Sequence, residues 1–312
     1  LDFSIAVQIV LFLAVSICLL VFTRKIFVEK LKAGSEKTNV DALVGEKVSI
    51  ITRKCQTTRH RILGLVNGED FQIVFSDTPG ILTPHYKLQQ CMLQQVEGAL
   101  SDADVFLVVT DMGEELKNKN ILQEIKKSKI PVVVVINKID LSEQEKVNSA
   151  IAHWQSEIPR AEVVACSALH SMGIERVMEL VKGYLPLSPA YYDKEMLTDK
   201  SMRFLVSEII REKILLFYDK EIPYSTEVSV EEYKEEDKIN RIRAIIFTER
   251  DSQKRILIGR GGTMIKKVGT EARKDIEEFT EKKCFLELIV KVRKDWRNSD
   301  RDLRSFGYET KK

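Results

Sequence analysis

The sequence predicts an α/β protein: a largely parallel sheet sandwiched by helices, then a smaller α+β unit, with one membrane-spanning helix in front. Three observations carry this. Four short β-branched apolar runs alternate with helix-length stretches; a glycine-rich loop lies between helical segments in the last third; and the opening stretch from Phe3 to Thr23 has no charge. The 312 residues suffice for about two domains. With 31% charged and 44% hydrophobic residues, a wholly disordered chain is excluded, and 14 Gly with 7 Pro exclude a collagen-like one. The formal net charge is +2, so nucleic-acid binding must rest on a local patch rather than on a general polycation. Five cysteines with no CxxC pair argue against a disulfide framework or zinc ribbon and fit a reducing compartment, and four scattered histidines argue against a histidine metal cluster. The chain opens on Leu1, as a fragment or processed product would.

From Phe3 to Thr23 the run reads FSIAVQIVLFLAVSICLLVFT. As a helix it would span ~30 Å, the thickness of a bilayer core. Arg24, Lys25, Lys30 and Lys32 follow, placing the C-terminal side in the cytoplasm by the positive-inside tendency. No basic segment precedes the run and no small-x-small site follows it, against a cleaved signal.

After a polar linker, 33–41, four apolar runs follow: Phe71–Asp77, Asp104–Asp111, Pro131–Asp140 and Ala161–Ala168. Short, β-branched and separated by helical stretches, they predict parallel strands buried on both faces. Ligands of such sheets sit beyond the C-terminal strand ends, and those ends are where the polar residues gather. Asp77-Thr78-Pro79-Gly80 closes the first run. Asp77 there can hold Mg²⁺ through water, and the Gly80 amide can approach a γ-phosphate unhindered. Asn137-Lys138-Ile139-Asp140 closes the third. The Asp140 carboxylate can accept from N1 and N2 of guanine and rejects adenine; Asn137 can tie neighbouring loops, and the Lys138 stem can lie on the base. Ser167-Ala168 closes the fourth, where a backbone amide could meet guanine O6. In this order and at these positions the motifs specify a guanine-nucleotide site.

The last third begins with helical spacing over Lys200–Phe217, then two alternating strands, EVSVEEY and INRIRAIIFTER. Ile256 to Lys267 follows, with the GxxG loop Gly259-Arg260-Gly261-Gly262 between two apolar helical stretches. This element resembles the loop by which KH domains clamp about four single-stranded nucleotides, and the order of elements suggests the type II topology. Glycine backbone can approach phosphates; Arg260, Lys266 and Lys267 supply charge; Ile258 and Ile265 are candidates for an apolar base groove. From Asp251 to Lys312 there are 17 Lys plus Arg against 11 Asp plus Glu, so the positive excess is local. Trp154 and Trp296 read as packing residues, His85 and His153 as surface residues, and the acidic run 231–237 as a solvated loop.

The strand-end motifs resemble translation-factor-related GTPases, and the remainder narrows the resemblance to the Era GTPases. Gln56-Thr57-Thr58-Arg59-His60 looks like their switch I; SEIIREKI (207–214), EIPYS (221–225), EARKDIE (271–277), LELIVKV (286–292), Trp296 and LRSFGY (303–308) look like their KH region. The resemblance runs from about Ala42 to Tyr308. It implies GTP/GDP and Mg²⁺ as cofactors, with a switch threonine, Thr57 or Thr58, sensing Mg²⁺ and γ-phosphate; Asp77 and Thr58 are the metal candidates. It also implies binding to the 3′ end of small-subunit ribosomal RNA within the pre-30S particle, and a role in small-subunit assembly in the bacterial cytoplasm, often with membrane association. Ile81 stands where Ras-like enzymes place a water-orienting Gln, so slow turnover is expected.

One part departs from this pattern. Before residue 60 the only glycines are Gly34 and Gly45, and no G-x-x-x-x-G-K-[ST] occurs. ALVGEKVSI resembles the tail of the helix after that loop. The expectation is a GTPase-like sheet lacking its first strand and phosphate loop, with most phosphate binding lost. Leu1 to Gly45 resembles instead the end of the membrane region of NfeD-like proteins. The expected organisation is a membrane helix with basic flank at 1–32, the linker 33–41, a GTPase-type domain at 42–186, a linker at 187–199 and a KH domain at 200–312, held at the inner face of the cell membrane; a membrane-tethered, non-enzymatic KH RNA-binding protein, or a chimera with an NfeD-like membrane protein, is the alternative.

Overall fold

The computed structural model describes residues 18–21, 25–30, 57–80, 82–112 and 119–310. They divide into two compact units, one formed by Leu1–Thr83 with Met92–Asp199 and the other by Pro84–Cys91 with Lys200–Lys312.

The first unit is built on one sheet. Its strands are β1 (Cys18–Val21), β2 (Lys25–Lys30), β3 (Ile62–Asn67), β4 (Gln72–Asp77), β5 (Ala103–Asp111), β6 (Val132–Asn137) and β7 (Glu162–Ala165). The order is β1-β4-β2-β5-β6-β7, with β3 antiparallel on β4. Strands β4, β2, β5, β6 and β7 run parallel, and β1 is antiparallel to β4. Helices α1 (Lys87–Ser101), α2 (Lys119–Lys127), α3 (Gln144–Glu157) and α4 (Ile174–Gly183) lie between strands in sequence. The centre of the sheet reads as the apolar runs require: Ile73, Phe75, Val105, Leu107, Val108 and Val132 to Ile136 are all buried. Trp154 packs in the same core, and His85 and His153 are exposed.

Two expectations are corrected here. The end of the supposed membrane helix and its basic flank form β1 and β2, and among the described residues no helix is long and apolar enough to cross a membrane. Residues 1–17 and 22–24 lie outside the described residues. The spanning helix, and the position at the inner membrane face that followed from it, are overturned. The physical reason is that a short apolar run is compatible with helix and strand alike, and hydrophobicity alone does not choose between them. The first strand of the parallel sheet is also not missing: β2 aligns Ile26 to Lys30 with Val105 to Val109 of β5 on one side and Ile26 and Phe27 with Phe75 and Ser76 of β4 on the other. The sheet interior is thereby hydrogen-bonded where a gap was expected.

The stretch after α4 returns along β3. The Leu65 amide donates to the Leu197 carbonyl (2.9 Å), the Leu63 amide to Asp199 Oδ1 (2.8 Å), and Tyr192 packs on Leu63, Leu65 and Val74.

The second unit runs α5 (Met202–Phe217), the short α6 (Ile222–Ser225), β8 (Glu227–Glu235), β9 (Ile239–Thr248), α7 (Asp251–Ile258), α8 (Thr263–Thr280), β10 (Lys283–Val292) and α9 (Asp300–Ser305). Its sheet order is β10-β9-β8, with β8 antiparallel and β10 parallel to β9. Ser201 caps α5 by accepting from the Phe204 amide (3.4 Å). Val206, Ile210, Ile214, Ile242, Ala244, Ile246, Leu257, Val268 and Ile276 form the core. Buried Arg211 is held bidentately by Glu208 (2.8 and 2.6 Å), Tyr308 donates to Glu227 Oε2 (2.8 Å), and buried Trp296 donates to the Ser225 carbonyl (3.2 Å). The acidic run 231–237 is not a loop throughout: Glu231 to Glu235 belong to β8, where the long carboxylates point from an exposed hairpin while its backbone pairs.

Candidate functional site

The parallel strands of the first unit end on one edge, so the sheet carries Asp77, Asp111, Asn137 and the Ser167-Ala168 loop there in spatial order. Three strand spacings separate the ends of β4 and β6, roughly 15 Å at ~4.8 Å each. That is on the scale of an extended nucleoside triphosphate.

At one end Asn137 is buried, and its Oδ1 accepts from the Ala168 amide (3.0 Å) and the Cys166 thiol (3.7 Å). The Ile139 amide donates to the Cys166 carbonyl (3.3 Å), so the loops after β6 and β7 are tied as one piece. Lys138 sits in the left-handed region (φ 62°) and its ammonium pairs with Asp111. Asp140 is exposed in the following turn. Burial, and then the charges of Asp111 and Asp140, push the Cys166 thiol up to about 12. The Ser167 and Ala168 amides donate to the Met172 carbonyl (3.0 Å) and to Asn137 Oδ1 (3.0 Å), which ties these loops together.

At the other end Thr58 Oγ1 donates to Asp77 Oδ2 at 3.1 Å, both buried. Thr57, Arg59, Thr78 and Pro79 are buried and His60 half-buried, while a Cβ at Gly80 would meet nothing within 4 Å. A hydroxyl and a carboxylate are hard oxygen donors of the kind Mg²⁺ takes, and here they are hydrogen-bonded to each other; among the described residues no group of three or more His, Cys, Asp or Glu could hold a metal. Gln56, Ile81 and the stretch 31–50, which follows β2, lie outside the described residues.

In the second unit α7 ends at Gly259 (φ 76°, ψ 170°), where a Cβ would lie 2.7 Å from Met264 Cγ. Gly261 (φ 61°) and Gly262 (φ 76°) face open space, leaving their backbone accessible. Arg260 is exposed beside them. Ile265, Lys266, Gly269, Thr270 and Arg273 of α8 then form one wall, and Leu286 and Leu288 of β10 the other, of a groove of about 310 Å³. Gly269 faces Leu288 across the groove, where a Cβ would make ordinary van der Waals contact with Leu288 Cδ1 at 3.4 Å. The groove thus gathers Ile265 and Lys266 from the expected set and adds five residues that the sequence did not single out. Alternation along β10 marks Leu286 and Leu288 as one face, but not as the face bordering α8. Ile258 packs against the core, as Ile265, Leu286 and Leu288 also do, and the Lys267 ammonium stacks on Phe217, 4.2 Å from the ring centroid.

A parallel sheet with guanine-type strand ends, joined in one chain to an α-β-β-α-α-β unit with a GxxG loop, defines a GTPase linked to a KH module. The family described as 50S ribosome-binding GTPase matches residues 38–138, and the KH domain family matches residues 221–297. The GTPase Era of Clostridium kluyveri is 41% identical over 277 residues, covering 88% of this chain and 94% of that protein. That of Syntrophus aciditrophicus is 42% identical over 277 residues, covering 88% and 90%. Among solved structures, Era in complex with MgGDPNP and nucleotides 1506–1542 of 16S ribosomal RNA superposes with a TM-score of 0.86 at 35% identity, covering 91% of this chain and 97% of that one. A variant of Aquifex aeolicus Era bound to GDP·AlF4⁻ gives 0.84 at 34%, covering 91% and 98%. The chain belongs to the Era GTPase family. The similarity gives no support to an NfeD-like N-terminus or to a membrane partner.

Proposed function

We propose that this chain binds the 3′ region of small-subunit ribosomal RNA through the groove between α8 and β10 and acts in assembly of the small subunit, with a guanine nucleotide as its second ligand. The observation that carries this is the groove itself, with its apolar wall of Leu286 and Leu288 facing exposed Lys266 and Arg273 on the helix that follows the open GxxG loop, where Arg260 is exposed. Phosphates would meet Gly261 and Gly262, and unstacked bases the apolar wall. The RNA-bound Era relative supports the identity of the ligand.

In the first unit Asp140 would read the guanine edge, the Lys138 stem would carry the ring and Asn137 would hold the loops in register. Mg²⁺, held by Thr58 and through water by Asp77, would neutralise charge on the β- and γ-phosphates. The sequence has no G-x-x-x-x-G-K-[ST], so phosphate contacts are the weak part, and nucleotide affinity is expected to fall below that of relatives that carry the loop.

The test is fluorescence anisotropy with a single-stranded RNA of the 16S 3′ terminus, alongside titration with a fluorescent GDP. Gly261→Asp puts a carboxylate against the phosphates and should abolish RNA binding. Unchanged RNA affinity in that variant defeats the groove assignment, and no GDP binding at millimolar concentration defeats the nucleotide assignment.

A further inference from the structure

Asp111 has no part in the guanine-binding reading above, yet the structure places it at the centre of that site. It ends β5 directly in register with Asn137 at the end of β6. One residue later the chain turns through Lys138 in the left-handed region, a conformation that costs a non-glycine residue ~1 kcal/mol or more. The Lys138 ammonium pairs there with Asp111, on the neighbouring strand. The two side chains are only 16% and 19% exposed. Burial raises the Asp111 carboxyl above the ordinary range, and the hydrogen bond and charge of Lys138 pull it back.

Lys138 has a second carboxylate nearby in sequence, Asp140. Among the described residues no ion pair joins them, and Asp140 is exposed. The distinction matters chemically. A carboxylate already paired with an ammonium has fewer lone pairs for the N1 and N2 donors of guanine. An unpinned lysine stem also offers no fixed apolar surface to the ring.

We propose that Asp111 is a positioning residue for guanine recognition: it pins the Lys138 ammonium, which lays the lysine stem flat as the floor for the base and leaves the Asp140 carboxylate open to read its edge. This rests on the guanine reading of Asn137 to Asp140. Without Asp111 the lysine is released, and its nearest alternative anion is Asp140.

The experiment measures the affinities of the full chain for GDP and IDP, whose base lacks the N2 amine, in wild type, Asp111→Asn and Asp111→Glu. Acylation of Lys138 by an amine-reactive ester is followed by peptide mass spectrometry without nucleotide. In Asp111→Asn, GDP affinity should drop roughly tenfold, the order of one charge-assisted hydrogen bond, the preference for GDP over IDP should shrink, and Lys138 should label faster. Asp111→Glu should recover part of all three. A merely structural defect would weaken GDP and IDP alike and leave their ratio unchanged, and that result overturns the proposal. So does unchanged Lys138 labelling in Asp111→Asn. If wild type binds neither nucleotide, the guanine reading itself fails and the proposal falls with it; if wild type binds GDP and the asparagine variant binds it equally, only the proposal falls.

Discussion

The two units divide the labour between fold and chemistry in opposite ways. In the first, the strands make the fold and the strand tips carry the proposed site: Val132 to Ile136 are core, and the next residues, Asn137, Lys138 and Asp140, are the proposed base-reading group. In the second, the two duties alternate residue by residue. Gly259 fits a backbone shape beneath Met264, whereas Gly261 faces open space; Lys267 stacks on Phe217, whereas Lys266 lines the groove.

The strongest break of this comparison is at β2. Phe27 is in register with Ser76 on one side and Phe106 on the other, so its backbone lies inside the sheet. Phe27→Pro removes a ladder donor and should cost about 3 kcal/mol or more. Hydrogen exchange should show β4 and β5 losing protection while β9 keeps it. Unchanged exchange in β4 and β5 would mean that β2 does not complete the sheet.

A smaller effect separates the glycines of the loop. At Gly259 the backbone lies in a region open essentially to glycine, and an alanine Cβ would meet Met264 at 2.7 Å. Gly259→Ala should lose about 1–3 kcal/mol, read as faster hydrogen exchange along α8. Gly261→Ala has space for its Cβ and bears only the left-handed φ, about 1 kcal/mol. Its main effect should be on RNA affinity. Equal loss of stability at both positions would erase the contrast.

What the sequence discloses follows the same division. Asn137-Lys138-Ile139-Asp140 is legible as a proposed site because its residues sit in one string, and the structure places that string at the end of a strand. Asp111 is not, because its partner is 27 residues away and only the parallel register of β5 and β6 brings the two together. The GxxG loop is legible as a local motif; the Leu286 and Leu288 wall depends on how α8 lies on β10, which side-chain alternation does not specify. The apolar run ending at Thr23 misled for a different reason. Lack of charge does not say whether a backbone is helical or extended, and Cys18–Val21 pairs as a strand with β4.

The least effect, and the finest test, concerns two adjacent lysines. Sequence alone gives Lys266 and Lys267 the same role. On α8 they are about 100° apart, so one can face β10 while the other faces α5. Lys266 lines the groove, where a phosphate-contacting cation adds affinity without adding stability. Lys267 holds its ammonium over the Phe217 ring, an exposed cation–π contact of about 0.5–1 kcal/mol. Lys266→Gln should therefore weaken RNA binding, reduce its salt dependence by about one counterion, and leave the denaturant midpoint in place. Lys267→Gln should lower the midpoint slightly and leave the salt slope alone. If both variants change the slope equally, helix α8 presents a continuous basic face to RNA, and fold and ligand contacts are not interleaved in the second unit.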